Sequence, residues 1–187
     1  MSDILETNAH QKELENLFKY NLRAASFTSF NNIDVTAEDG DEIVEKIKNN
    51  DFEVNNYESF LDSLHQSSRM EYLTDYTKQQ LEKEFTTYKV NGYDCGFAIK
   101  NDGDITSVHN NTGVKGAGIG DALIEAAKEK GGTKLDHFDG FLSELYKKHG
   151  FEEYSRDQWN DEYAPADWDY TNNGKPDVVY RKLTDKK

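Results

Sequence analysis

Four glycines, at positions 113, 116, 118 and 120, stand close together near the middle of the chain. Glycine tolerates backbone angles that let successive N–H groups converge on one point. A helix predicted to begin within this run would add the positive end of its macrodipole. The run is therefore typical of a backbone cradle for a phosphate or another anion. A tight turn that merely contains several glycines is the alternative.

Asp136, His137 and Asp139 have side chains that can ligate metal ions. The residues around them predict a short strand, on which neighbouring side chains point to opposite faces. Asp136 and His137 would then face apart, so we predict no metal site. The single cysteine, Cys95, lies in an apolar stretch and is expected to be a buried thiol rather than a nucleophile. It has no second cysteine to pair with, which fits a reducing cytoplasm.

Helices are predicted for the first part of the chain. Apolar residues recur at helical spacing in residues 11–23, from about residue 37 to residue 50, and in residues 57–67. We therefore expect an acidic helical region over residues 1–72. Residues 27–30 could form a short extended piece.

The pattern becomes that of a sheet further along. Thr77 to Glu84 predicts a short helix, with Gln80 completing a capping box at Thr77. Asn91-Gly92 is a strong signal for a hairpin turn between two β-rich segments. Three antiparallel strands are thus expected to lead to the glycines, at residues 85–90, 94–100 and 105–109.

Helices and strands alternate in the remainder of the chain. Residues 157–175 interrupt them with an irregular segment rich in tryptophan, tyrosine and aspartate. The element order predicts a mixed α/β (α+β) fold, in which a mostly antiparallel sheet is flanked by helices and preceded by an N-terminal helical extension. The predicted elements are helices at residues 118–130 and 141–149, and strands at residues 133–138, from residue 151, and at residues 177–183.

The net charge of the chain is −14, and most of the acidic surplus lies in the first 76 residues. Such a surface would be repelled by nucleic acid, so no direct nucleic-acid binding is expected. It could meet a basic protein partner or imitate a phosphate backbone, and ordinary solvated helix faces would carry the same charges. No apolar run approaches the length that spans a bilayer, and the N-terminus lacks a signal-peptide core. We therefore expect a cytoplasmic protein that does not associate with membranes.

The order of elements after residue 72 resembles that of the GNAT superfamily of N-acetyltransferases. Two motifs carry the resemblance. Lys115-Gly116-Ala117-Gly118-Ile119-Gly120 is similar to the family's acyl-CoA pyrophosphate loop, with Lys115 in place of the usual arginine or glutamine. Residues 144–152 are similar to its Tyr-x-x-x-Gly-Phe signature. Residues 135–180 are also similar to uncharacterised GNAT-like proteins of bacteriophage origin, and we expect residues 73–187 to form a GNAT-like acyl-CoA-binding domain.

The resemblance implies a binding mode for acetyl-CoA as co-substrate. Backbone amides from Gly116 to Asp121 would bind its pyrophosphate, and the strand edge from Ser107 to Asn110 would pair with its pantetheine arm. The sheet would splay beside the glycine turn, where the acyl group enters. The residues assigned to acetyl-CoA in this way are Val108, Asn110, Val114, Lys115, Gly116, Ala117, Gly118, Ile119, Gly120 and Asp121.

The resemblance also implies catalytic roles. Tyr146 would occupy the position of the family's general acid, which protonates the departing thiolate; packing in the core is its alternative role. A protonated amine acceptor must lose a proton before it attacks, and a base would serve near the strand tip. His109 is the first candidate and His137 the second, since the pKa of a free histidine suits this task. Either histidine could instead be structural.

The leading hypothesis is an N-acetyltransferase that acts on an amine of a small molecule or protein. A catalytically silent GNAT-like binding protein is one alternative. An acidic inhibitor that mimics nucleic acid through its N-terminal helices is another. The segment with Trp159 and Trp168 could recognise the acceptor, cover the cleft, plug it or meet a protein partner.

Overall fold

The computed structural model describes residues 25–26, 37–66, 76–140, 142–164 and 168–184. These residues form a mixed α+β fold, as predicted, with two β-sheets and helices packed against them. The strands are β1 (Ala25–Ser26), β2 (Phe52–Val54), β3 (Phe85–Val90), β4 (Cys95–Lys100), β5 (Ile105–Asn110), β6 (Lys134–Phe138), β7 (Phe151–Asp157) and β8 (Val178–Leu183). The helices are α1 (Ala37–Lys48), α2 (Tyr57–Leu64), α3 (Lys78–Glu84), α4 (Ile119–Glu129), α5 (Leu142–Lys148) and α6 (Tyr170–Asn173).

The first sheet has the strand order β1-β5-β4-β3-β2. Strands β2 to β5 pair antiparallel with their neighbours, whereas β1 lies parallel to β5. The predicted meander of three strands is confirmed. Gly92 takes a φ of 85° in the β3–β4 turn, a conformation that glycine adopts without strain. Strands β1 and β2 are too short to show a period of two in the sequence, and we did not predict them.

A β-bulge bends β5 in its middle. Between the pairs Gly96↔His109 and Ala98↔Thr106, β5 contains one residue more than β4. Ser107 lies in this interval with a φ of 52°, which is uncommon for a residue other than glycine. Such a bulge turns the strand and increases its twist. The second half of β5 therefore leaves the direction set by its first half.

The second sheet has the order β6-β8-β7, with antiparallel pairing throughout. Helix α5 joins β6 to β7, and Tyr146 of this helix is buried in the same apolar cluster as Leu135 and Phe151. The predicted strands and helices of this part are confirmed to within two residues at their ends. Such differences are ordinary for helix and strand ends.

Helices cover both faces of the first sheet. On one face, Ile43 and Ile47 of α1 pack with Leu123 and Ile124 of α4 in the largest apolar cluster. Burying each such side chain contributes about 1.5–3 kcal/mol. On the other face lie α2 and α3, whose buried residues join the sheet in a second cluster of Phe60, Leu64, Leu81, Phe85 and Ala98. The predicted capping box at Thr77 and Gln80 is present at the start of α3.

Several N-terminal predictions lie outside the described residues, including the helix at residues 11–23 and the extended piece at residues 27–30. The predicted boundary after residue 72 falls within residues 67–75, which are likewise outside them. Residues 37–66 pack into the same sheet and cores as the later chain. None of the described helices is long and apolar enough to cross a membrane.

The aromatic segment before β8 forms a small core of its own. Phe138, Trp168 and Val178 are buried together, with Trp159 and Tyr163 packed against them. The ring centroids of Trp159 and Trp168 lie 4.9 Å apart. The aromatic side chains of this segment therefore pack against one another and against Phe138 at the end of β6.

Candidate functional site

Strands β5 and β6 are neighbours at one end and separate at the other. Asp104, just before β5, and Lys134, at the start of β6, form an isolated parallel β-bridge. Beyond this bridge the two strands belong to different sheets. The glycine loop, residues 111–118, leaves β5 at the end where the strands diverge and leads into α4. The loop and the divergence thus lie together.

The glycine loop has the backbone geometry that the sequence predicts. Gly113, Gly116 and Gly118 take φ angles of 84°, 75° and 82°. Gly118 is the N-cap residue of α4, and no side chain caps the first amides of the helix. A Cβ atom added to Gly116 or Gly118 would meet nothing within 4 Å, so this side of the loop is open. Backbone N–H groups at the start of α4 are therefore available to an anion.

The side chain of Asn110 holds the glycine loop from within. Its Nδ2 donates to the carbonyl of Val114 at 3.1 Å, and its Oδ1 accepts from the backbone N–H and the hydroxyl of Thr112. Asn110 is buried. Its amide group is thus used to shape the loop rather than to contact a ligand.

Helix α1 supports the loop from outside. A Cβ atom built on Gly40 would lie 2.7 Å from the Cβ of Ala117 and 3.0 Å from Cγ1 of Val114. Only glycine permits this close approach of the helix to the loop. The sequence gives no sign of this contact, because Gly40 lies in a helical pattern far from the loop.

Asp121 places an acid in the first turn of α4, beside the candidate anion site. Its Oδ1 lies 2.6 Å from Nζ of Lys148 and 2.7 Å from Nε2 of His149. Partial burial acts to raise the pKa of Asp121, but hydrogen bonds from Lys148 and His149 outweigh it and hold the pKa below its ordinary value. Nδ1 of His149 also contacts Glu125 at 2.6 Å. The charge of Asp121 is therefore balanced by α5.

Tyr146 is fully buried, and its hydroxyl has no hydrogen-bond partner among the described residues. Burial raises the pKa of Tyr146 well above its ordinary value, and the nearby charge of Asp136 acts in the same direction. The phenol is therefore protonated, which is the state that a proton donor needs. A buried hydroxyl without a hydrogen-bond partner lowers the free energy of unfolding by about 1–3 kcal/mol. Packing alone therefore does not explain why this position carries tyrosine rather than phenylalanine.

His137 lies against Tyr146, with ring centroids 5.0 Å apart. Its Nδ1 donates to the carbonyl of Phe138 at 2.7 Å, and its Nε2 accepts from Nε of Arg181 at 2.8 Å. Burial lowers the pKa of His137 to about 4, and the Arg181 guanidinium adds to this effect. Both ring nitrogens are thus occupied, and the ring is neutral near pH 7.

His109 lies on the face of the sheet that α2 covers. Its Nδ1 donates to the carbonyl of Ser107 at 2.9 Å, and its Nε2 accepts from Oγ of Ser63 at 2.8 Å. The ring also packs edge-on against Phe60. Burial lowers the pKa of His109 to about 4. Like His137, it is a neutral ring whose nitrogens are both bonded.

The structure brings Tyr146 and His137 together and places His109 against α2. Among the residues assigned to acetyl-CoA, Lys115, Gly116 and Gly118 form the exposed surface of the glycine loop. The others are buried or half-buried: Val108, Asn110, Val114, Ala117, Ile119, Gly120 and Asp121.

Sequence reasoning missed Arg181 and Ser63, the partners of the two histidines. Arg181 is buried in β8 and also donates to the carbonyl of Phe151. An arginine in a strand that begins with Val178 and Val179 was the available signal for it, whereas Ser63 gave none. Within the described ranges, no group of three histidine, cysteine or acidic side chains is placed to hold a metal ion.

Comparison with family models, with curated proteins and with solved structures finds no match for this chain.

Proposed function

We propose that this protein is an acetyl-CoA-dependent N-acetyltransferase of the GNAT type. The observation that supports it most is the divergence of β5 and β6 beside the glycine loop. A ligand with an anionic group and an extended amide arm fits that combination. The anion would meet the uncapped N-terminus of α4, and the arm would lie along the edge of β5.

In the proposed reaction a neutral amine attacks the carbonyl carbon of the thioester. A C–N bond forms, the C–S bond breaks, and the departing sulfur needs a proton. Tyr146 supplies that proton from its protonated hydroxyl, which has no partner among the described residues. The attacking nitrogen gives up a proton as the amide forms, and this proton restores the tyrosinate to the phenol. The raised pKa keeps the phenol protonated until the departing thiolate forms.

The two histidines are less suited to take the proton of the amine. Nε2 of His137 is occupied by Arg181, and Nε2 of His109 is occupied by Ser63. Each would have to break a buried hydrogen bond before it could act as a base. The proposal therefore favours an amine that reaches the cleft already neutral, having lost its proton to water.

A catalytically silent binding protein is the second candidate, and the occupied histidine nitrogens are the observation that favours it. Such a protein would bind acetyl-CoA but release no free thiol when offered amines. The inhibitor hypothesis concerns an N-terminal region largely outside the described residues, and it stays a prediction.

Calorimetry with acetyl-CoA tests the proposed site. Gly116→Ala and Gly131→Ala form a matched pair, because both residues have a positive φ and open space around an added Cβ. Both variants should lose about 1–2 kcal/mol of stability. Only Gly116→Ala should weaken binding of acetyl-CoA, because Gly131 follows the C-terminal end of α4, whereas the glycine loop precedes its N-terminus. Absence of binding by the wild-type chain at millimolar acetyl-CoA would overturn the proposal.

A thiol-release assay separates the two candidate functions. The purified protein is offered acetyl-CoA with a panel of primary amines, including polyamines, aminoglycosides and lysine peptides. Release of coenzyme A that depends on both the amine and the enzyme supports the transferase. Tight binding without release for the whole panel supports the silent binding protein.

A further inference from the structure

Strand β1 occupies the outer edge of β5. Ala25 pairs with Val108 and Ser26 pairs with His109, both in parallel orientation. The opposite edge of β5 is bonded to β4. The second half of β5 is therefore flanked on both sides by strands of the same chain.

The edge that β1 covers is the one that β6 leaves. Strand β6 pairs with the first sheet at the Asp104↔Lys134 bridge, before the bulge at Ser107. Val108 and His109 follow the bulge, so their outward backbone groups need another partner. An exposed strand edge is also prone to pair with other chains. The two residues of β1 meet this need.

The proposed function assigns the same edge to the pantetheine arm of acetyl-CoA. The backbone groups along one edge of Val108 and His109 cannot pair with β1 and with the arm at the same time. We propose that β1 is an intramolecular occupant of the acyl-CoA cleft, and that acetyl-CoA must displace it in order to bind. This inference rests on the proposed function and adds a regulation to it.

The length of β1 sets the scale of this competition. Because β1 pairs with β5 through two residues, the two strands share few hydrogen bonds, and each bond makes a modest net contribution to stability. The apparent Kd for acetyl-CoA rises by the inverse of the fraction of molecules in which the edge is open. We expect β1 to weaken binding by about threefold to tenfold.

Proline substitutions in the full-length protein test the competition. In a parallel pair, alternate residues turn their N–H groups towards the same neighbour. One of Ala25→Pro and Ser26→Pro therefore removes a donor that faces β5, and measuring both covers either case. Ser26→Ala keeps the backbone donor and serves as the control. The Kd for acetyl-CoA should fall about threefold to tenfold in at least one proline variant and stay unchanged in the control.

Hydrogen exchange gives a second readout in the wild-type protein. Adding acetyl-CoA should speed exchange at whichever amide of residues 25–26 faces β5, while those of Val108 and His109 remain protected. Continued protection of β1 in the complex, or a Kd that neither proline lowers, would overturn the inference and leave the proposed function standing. Failure of every variant to bind acetyl-CoA would overturn both.

Discussion

Nε2 of His149 lies 2.7 Å from Oδ1 of Asp121, and this contact ties the end of α5 to the first turn of α4. Helix α4 follows the glycine loop, and α5 carries Tyr146. The predicted anion site and the predicted proton donor are therefore parts of one connected unit. Lys148 adds a second tie to the same oxygen at 2.6 Å.

Under the proposed function, replacing Asp121 with alanine should not improve binding of acetyl-CoA by more than about twofold. Its carboxylate already contacts Lys148 and His149, so removing it frees the Lys148 cation but also loosens α5. The free energy of unfolding should fall by roughly 1 kcal/mol, since the pair is partly exposed. Urea unfolding and calorimetry measure the two effects. Glu129→Ala, on the exposed side of the same helix, is the control, and a large gain in affinity for Asp121→Ala alone would contradict the prediction.

Tyr146→Phe removes a hydroxyl that has no partner in the described part of the chain. Stability should stay level or rise by about 1 kcal/mol, because a buried unsatisfied group is lost. Under the proposed function, kcat should fall about 100-fold, because the thiolate loses its proton donor. Tyr93→Phe is the control, since the Tyr93 hydroxyl already has a partner and donates to Glu42 of α1 at 2.8 Å. Unchanged kcat with raised stability would assign Tyr146 to packing alone.

Gly40→Ala should push the glycine loop away from α1. The new Cβ would lie 2.7 Å from the Cβ of Ala117, well inside normal contact. We expect a loss of about 1–3 kcal/mol in stability and weaker binding of acetyl-CoA. Ala117→Gly in the same chain removes the opposing Cβ and should restore part of both losses. A double-mutant cycle that shows simple additivity would contradict the contact.

Lowering the pH should destabilise the protein through its two buried histidines. Burial lowers the pKa of His109 and of His137 from 6.5 to about 4. Between these pH values the unfolded chain binds more protons than the folded one, so the free energy of unfolding falls as the pH falls. Each histidine contributes up to about 1.4 kcal/mol per pH unit in this window and nothing above it.

Urea unfolding at pH 8, 7, 6 and 5 measures this dependence. His109→Gln should reduce the slope of the free energy of unfolding against pH between pH 6.5 and about 4. For this variant the free energy of unfolding at pH 8 should equal that at pH 7. A slope that neither His109→Gln nor His137→Gln reduces would contradict the prediction.

Local patterns predicted most of the elements because the signals for them lie within a few residues. The capping box at Thr77 and the Asn91-Gly92 turn each depend on neighbours in the chain. Burial was harder to predict. His109 and His137 have the residue type of a general base, but Ser63 and Arg181 reach them from distant positions and occupy their nitrogens.

The sequence by itself determined the mixed α+β class, the three-strand meander and the open glycine loop before α4. These follow from hydrophobic periodicity and from the conformational freedom of glycine, which are local properties. Only the tertiary structure decided that Gly40 supports the loop, that α5 balances Asp121, and that β1 covers the edge of β5. Each of these contacts joins residues far apart in the chain, and their partners are set by how the sheets and helices pack.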